Sequence, residues 1–213
     1  PFVTAKIAIS KNKIIYSKRT KRITNMLTDK LTHYLRFKND AIMISGKTLN
    51  IDNPKLDCRL KGYENFSPKR VILDRNLVID MKSNILKSVK KDNTIIFHNS
   101  IDSDKIKVLK KKGVNLVKLS LNNKKEFNLR VVFKKLYSLG IRNLLVEGGD
   151  KITKNLLQNK LANQFYLFKS LKKIPIDNEI IYFTSYNLLN KNYKLRSTIS
   201  SKLAKDNIEI YKK

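Results

Sequence analysis

A short apolar run that stops at an acid and two glycines, then gives way to helical spacing, leaves a chain few ways to fold. Leu144, Leu145 and Val146 make such a run, and Glu147-Gly148-Gly149 ends it. Ile152, Leu156, Leu157 and Leu161 then recur at the spacing of one helix face. This predicts a buried strand feeding directly into a helix. Backbone N–H groups at such a helix start, with the positive end of the helix dipole, can face an anion, and glycines let a ligand approach the backbone. The same residues also suit a plain tight turn, and Glu147 is either a surface acid or a carboxylate placed at a site.

The strand-then-helix pattern repeats upstream. Phe2 to Ile9 reads as a strand carrying one charge, Lys6, and residues 10–23 read as a basic loop. Thr24 or Asn25 can cap a helix with Leu27, Leu31, Tyr34 and Leu35 on one face, which sends His33 and Arg36 to the other. Ala41 to Ile44 is a second strand. A one-turn helix after Gly46 would put Thr48 and Asp52 on one face, and Pro54 ends it. Strands follow at Arg70 to Asp74, Thr94 to Phe97 and Val114 to Leu119, with helices from about Ser103 to Lys112 and from the cap Asn128 to Gly140. Beyond residue 161 strands dominate, at Phe165 to Phe168, Ile180 to Phe183 and Ile208 to Tyr211. The expectation is one α/β domain over residues 1–213, its sheet mostly parallel with antiparallel C-terminal strands.

Composition narrows the function. Cys58 is the only cysteine and His33 and His98 the only histidines, so no metal is expected. No apolar stretch could span a bilayer and no signal peptide opens the chain, which suggests a cytoplasmic protein without a membrane partner. The net charge of +29 suggests nucleic acid. However, the basic residues are scattered, lysine outnumbers arginine, and Asn, Ile and Lys are used heavily together, as in an AT-rich genome. Nucleic acid is therefore not the expected primary partner.

Three blocks resemble one family. They are Pro1-Phe2-Val3-Thr4-Ala5-Lys6-Ile7-Ala8; the stretch from Leu35-Arg36 through Asp40-Ala41-Ile42 to Thr48, Asp52, Pro54, Leu56 and Arg59; and Leu145-Val146-Glu147-Gly148-Gly149. Together, and in this order, they resemble the reductase domain of the bifunctional riboflavin-biosynthesis deaminase–reductase. The resemblance implies a dihydrofolate-reductase-like three-layer α/β/α fold. It implies an NADPH-dependent oxidoreductase that reduces 5-amino-6-(5-phosphoribosylamino)uracil to its ribitylamino counterpart, a phosphorylated pyrimidine substrate, and a homodimer. A deaminase domain could be fused upstream in the full-length protein. This chain cannot itself supply the deaminase's Pro-Cys-x-x-Cys. The bland alternatives are a related reductase of another pterin or pyrimidine, and a basic nucleic-acid-associated protein with a decayed cofactor site.

Matched position by position, the resemblance assigns roles. Arg36 and Arg59 would clamp the substrate 5′-phosphate, Thr20 and Leu56 would line its pocket, and Glu147 would accept from the base. Asp52 is the first candidate for proton delivery and Lys6 the second. Ala8, Arg22, Thr48, Asp52 and Arg75 would contact NADPH, and Gly149, Asp150, Lys151, Ile152, Thr153, Lys154 and Asn155 would wrap its phosphates. The chain also departs from the family pattern. Lys11-Asn12-Lys13 stands for Leu-Asp-Gly, Asn53 for the second Asp of Asp-Asp-Pro, Arg75 for a common serine, and Leu161-Ala162-Asn163-Gln164 for Leu-Val-Asp-Glu. Arg22 stands for a tryptophan, a cation that could meet the 2′-phosphate of NADPH.

Overall fold

The computed structural model describes residues 1–20, 22–200 and 206–213, with the side chain of Leu27 outside the description. In chain order its elements are β1 (Phe2–Ile9), β2 (Ile14–Ser17), α1 (Met26–Phe37), β3 (Ala41–Ser45), α2 (Gly46–Asp52) and β4 (Lys69–Leu73). Next come α3 (Asn84–Lys87), β5 (Thr94–His98), α4 (Ser103–Lys111), β6 (Asn115–Lys118), α5 (Leu129–Ser138), β7 (Asn143–Val146) and α6 (Asp150–Gln158). The last are β8 (Gln164–Ser170), β9 (Ile180–Tyr182), α7 (Tyr186–Asn192), β10 (Lys194–Ser200) and β11 (Asp206–Lys212). No helix among the described residues is long and apolar enough to cross a membrane. The chain packs as two compact units, one of Pro1 with Arg36–Leu145 and one of Phe2–Leu35 with Val146–Lys213.

In the first unit the strand order is β7-β3-β4-β5-β6, and β3, β4, β5 and β6 pair in parallel. Parallel neighbours need a crossover, which α2, α3 and α4 provide. Strands covered on both faces read as continuous apolar runs, and Ile42, Met43, Ile44, Val71, Ile72, Ile96 and Phe97 are each at most 1% exposed. Each such side chain contributes about 1.5–3 kcal/mol by leaving water. One cation is built into this core. The Arg70 guanidinium donates to Ser88 Oγ at 2.7 Å, Ser88 O at 3.0 Å and Asn93 Oδ1 at 2.7 Å, tying the turn before β5 to the start of β4.

The second unit pairs β1 with β8 in parallel, β8 with β11 antiparallel and β11 with β10 antiparallel. Of the late strands, β8, β9 and β11 are those the sequence predicts, and β10 is an addition. Asn163 secures the start of β1: its side-chain carbonyl accepts from Val3 N–H at 2.8 Å and its own N–H donates to Val3 O at 2.8 Å. A separate ribbon pairs β2 with β9. The expected loop over residues 10–23 therefore contains a strand; Lys21 within it lies outside the described residues.

The turn leading into β2 accounts for one departure from the family pattern. Asn12 Oδ1 accepts from Ser10 Oγ at 2.8 Å and Ile174 N–H at 3.1 Å, and its amide donates to Ile174 O at 2.8 Å. Lys13 holds φ at 61°, the left-handed conformation that favours glycine. The turn is kept with a residue poorly suited to it. Lys13→Gly should stabilise the protein by about 0.5 kcal/mol, the backbone strain relieved less the extra entropy of an unfolded glycine. A melting temperature raised by about 1–2 °C would show this, and an unchanged or lower one would not.

Candidate active site

Helix α1 corrects the first expectation about the site. Among its described side chains the buried ones are Thr28, Thr32, Leu35 and Arg36, whereas Tyr34 is 46% exposed. Arg36, placed by hydrophobic spacing on the outer side, is only 9% exposed and donates from Nη1 to Asp57 O at 3.1 Å. Apolar spacing misleads here because two threonines and an arginine occupy the inner face. Thr32 can do so because its hydroxyl bonds the Thr28 carbonyl one turn back at 3.1 Å.

Asp57 is the residue that sequence reasoning missed. Its carbonyl receives Arg36, and its carboxylate lies 3.4 Å from Arg59 Nε. Two guanidiniums thus converge on one residue. The loop is bent to achieve this. Asn53 caps α2 in the left-handed region (φ 41°), and buried Leu56 is also left-handed (φ 57°). Asparagine tolerates that conformation; a leucine there costs about 1–2 kcal/mol, held in place by its packing. Cys58 N–H donates to Ser67 Oγ at 3.0 Å and closes the loop behind Arg59.

At the end of β3, Ser45 caps α2: its hydroxyl accepts from Thr48 N–H at 3.0 Å and lies 2.9 Å from Thr48 Oγ1. Gly46 is required there, since a Cβ would lie 2.9 Å from Asp74 Cγ. Asp74 cannot move aside, because its carboxylate accepts from Val78 N–H at 3.0 Å and Ile79 N–H at 2.8 Å. Asp52 ends α2 one turn beyond Thr48. Its carboxyl reaches solvent, yet surrounding protein atoms strip enough water to push its pKa above the ordinary value. Arg75 follows β4, exposed, and donates to Lys125 O at 2.6 Å.

In the second unit, Lys6 and Ala8 are half-buried on β1, and the Lys6 ammonium sits 4.8 Å over the Phe168 ring. Glu147 follows β7, also half-buried. Gly148 is explained by packing, since a Cβ there would lie 2.9 Å from Ile152 Cβ. Gly148→Ala should force α6 outward at a cost of about 1–3 kcal/mol, read as a lowered melting temperature; a protein as stable as the parent would remove that explanation. Gly149 is the N-cap of α6 and offers no side-chain cap, which leaves that helix start to other acceptors. Asp150 is engaged by Thr184, whose N–H and hydroxyl donate to its two carboxylate oxygens at 2.9 and 2.6 Å. Thr153 is buried, Lys151 and Lys154 are exposed, and Ile152 and Asn155 lie between. Thr20 is half-buried, its N–H bonded to Ser17 O at 3.2 Å. Arg22 is exposed and pairs with Asp29 at 3.2 Å.

Residues 1–170 match the family model of the RibD C-terminal domain, and the chain belongs to that family. It is 34% identical over 170 residues to the 2,5-diamino-6-ribosylamino-4(3H)-pyrimidinone 5′-phosphate reductase of Debaryomyces hansenii, covering 74% of this chain and 69% of that one. Among solved structures it is similar to a diaminohydroxyphosphoribosylaminopyrimidine deaminase/5-amino-6-(5-phosphoribosylamino)uracil reductase from Thermotoga maritima. There the TM-score is 0.77 and the identity 26%, over 100% of this chain and 56% of that one, so the chain spans little more than half its length. The fold is dihydrofolate-reductase-like: the Enterococcus faecalis dihydrofolate reductase superposes with a TM-score of 0.51 at 10% identity, covering 99% of this chain and 95% of that one.

Proposed function

We propose that this chain reduces a ribosylamino-pyrimidine 5′-phosphate to its ribitylamino product with NADPH, the substrate being 5-amino-6-(5-phosphoribosylamino)uracil. The observation that carries this reading is the convergence of Arg36 and Arg59 on Asp57. A planar, permanently charged fork suits a phosphate monoester, and two of them fix its orientation. The family resemblance assigns Leu56 and Thr20 to substrate contact and Glu147 to the pyrimidine N–H groups.

Support for NADPH comes from one helix start. The start of α6 lacks a side-chain cap on Gly149, as suits a phosphate. The family resemblance further assigns Ala8, Thr48, Asp52, Arg22 and Arg75 to cofactor contact. When bound, the nicotinamide supplies a hydride. The chain's own part is to hold the opened sugar so that its C1′ imine carbon is the acceptor, and to give the imine nitrogen a proton. Asp52 is suited to that transfer, because its raised pKa keeps the proton available nearer neutrality. Lys6, on β1, is the second proton source. The chain is further read as a cytoplasmic homodimer.

A second base is favoured by one finding, the Debaryomyces hansenii relative named for the 2,5-diamino-pyrimidinone. The two substrates differ at C2, an amino donor in one and a carbonyl acceptor in the other. A carboxylate at position 147 can only accept, so it gains a second partner on the diamino form. Purified protein should be assayed on both phosphates with NADPH and with NADH, following nicotinamide absorbance and ribitylamino product. Turnover of one base form with preference for NADPH is the expected result. No reduction of either form would sink the assignment.

A further inference from the structure

Between buried Cys58 and buried Pro68 the chain runs as a loop whose residues 61–67 are all exposed. The loop keeps its own shape. Tyr63 N–H donates to Leu60 O at 2.9 Å, and Phe66 N–H to Tyr63 O at 3.1 Å. Ser67 Oγ donates to Glu64 O at 3.1 Å and accepts from Cys58 N–H at 3.0 Å, joining the two limbs. These four bonds lie within the loop and do not fix its place against α1. The last two residues of that helix do so, at two points. Arg36 donates to Asp57 O at 3.1 Å. Phe37, half-buried, meets the Tyr63 ring with centroids 4.7 Å apart at 64°, and the Phe66 ring at 5.8 Å and 87°. Tyr63 and Phe66 close the triangle at 6.2 Å. Edge-on pairs of this kind are favoured, because the positive rim of one ring meets the negative face of another. The cluster is not core, since Tyr63 stays 47% and Phe66 61% exposed. Arg59 lies on the chain between the two points of attachment.

We infer that Phe37, Tyr63 and Phe66 are positioning residues for the substrate phosphate: their rings clasp the loop to the end of α1 and hold Arg59 opposite Arg36. This rests on the reading of the two arginines as a phosphate clamp. The Arg59 side chain is 61% exposed, so its place follows from that of the loop carrying it. Its pairing with Asp57 is internal to the same segment and cannot anchor that segment to the helix. With the rings apart, the loop can pivot about Asp57 with its own bonds intact, and Arg59 leaves the clamp. A phosphate monoester gripped by two forks needs both at a fixed separation; one fork leaves it free to turn. The effect is confined to substrate binding, because Asp52 and Glu147 stand on other segments.

The test compares Tyr63→Ala, Phe37→Ala and Tyr63→Phe in the full chain, with 5-amino-6-(5-phosphoribosylamino)uracil and NADPH. Tyr63 is largely exposed, so its alanine variant should fold even if that of half-buried Phe37 does not. Each alanine removes two ring contacts, and one contact shifts an equilibrium by about 2- to 12-fold. KM for the phosphate should therefore rise about 10-fold, with kcat within about two-fold of the parent's and the Kd of NADPH unchanged. Tyr63→Phe, which keeps the ring, should restore the parent's KM. Amide hydrogen exchange over residues 58–67 should quicken in the alanine variants, a readout that does not depend on turnover. A merely stabilising cluster would lower the melting temperature and leave KM alone. KM unchanged, KM and the Kd of NADPH rising together, or exchange as slow as the parent's would each overturn the inference while the parent still turns over. A parent without turnover would instead sink the reductase reading, and the inference with it.

Discussion

Arg36→Ala should raise KM for the ribosylamino-pyrimidine phosphate by about 100-fold while NADPH affinity stays close to the parent's. A hydrogen bond to a charged group is worth about 1.5–3 kcal/mol, and a bidentate fork supplies two of them. Only part of this should return in Arg36→Lys, because an ammonium cannot reproduce the planar fork or reach Asp57 O in the same geometry. The side chain is buried, so the alanine variant should also melt lower. Stability must therefore be measured beside KM, at a temperature where the variant is folded. A KM within a few-fold of the parent's would take Arg36 out of the phosphate clamp and leave it a purely structural role.

Asp52→Asn should lower kcat by about 100-fold, the scale of one general acid, with a smaller change in substrate binding. It should also make the protein more stable at neutral pH, and the sign can be worked out. Burial raises the Asp52 pKa in the folded state, so the folded chain holds that proton more tightly than the unfolded chain does. Stability is then favoured at low pH, is lost as pH rises through the folded pKa, and at neutral pH the desolvation cost of the carboxylate is fully present. Asparagine removes that cost along with the acid. For the same reason the parent's kcat should fall as pH rises through the raised pKa, and the variant's kcat should lose that limb. An asparagine variant with intact turnover and an unaltered pH profile would pass the proton to Lys6.

Much of the fold could be read because buried parallel strands leave an unmixed apolar signal. Ala41 to Ile44, Thr94 to Phe97 and Leu144 to Val146 needed no context. Helix stops were equally plain, since Gly113 and Gly140 both take the left-handed conformation that ends a helix. Strand β10 was invisible because all seven of its residues are exposed, so no face imposes alternation. Strand β2 was hidden inside a basic stretch, and its order depends on pairing with β9, far away in sequence. At the site, the family resemblance pointed to Arg36, Thr48, Asp52 and Arg59, but not to the side to which Arg36 turns. Polar residues buried through their own hydrogen bonds carry no hydrophobic signal. Asp57 was missed for a related reason: an acid one residue from a cysteine and two from an arginine looks like ordinary surface, and only the left-handed Leu56 turns it toward α1.

The sharing of Asp57 by Arg36 and Arg59 has a consequence for how such a chain can change over generations. Arg36 leans on the main-chain carbonyl of residue 57 and Arg59 on its carboxylate, so the two cations share one stretch of loop, and a substitution that shifts that loop alters the worth of both. Most single steps away from the trio would be penalised, and a viable path would need paired replacements. A lineage whose codons drift toward lysine should therefore keep arginine at positions 36 and 59 longer than at solvated positions.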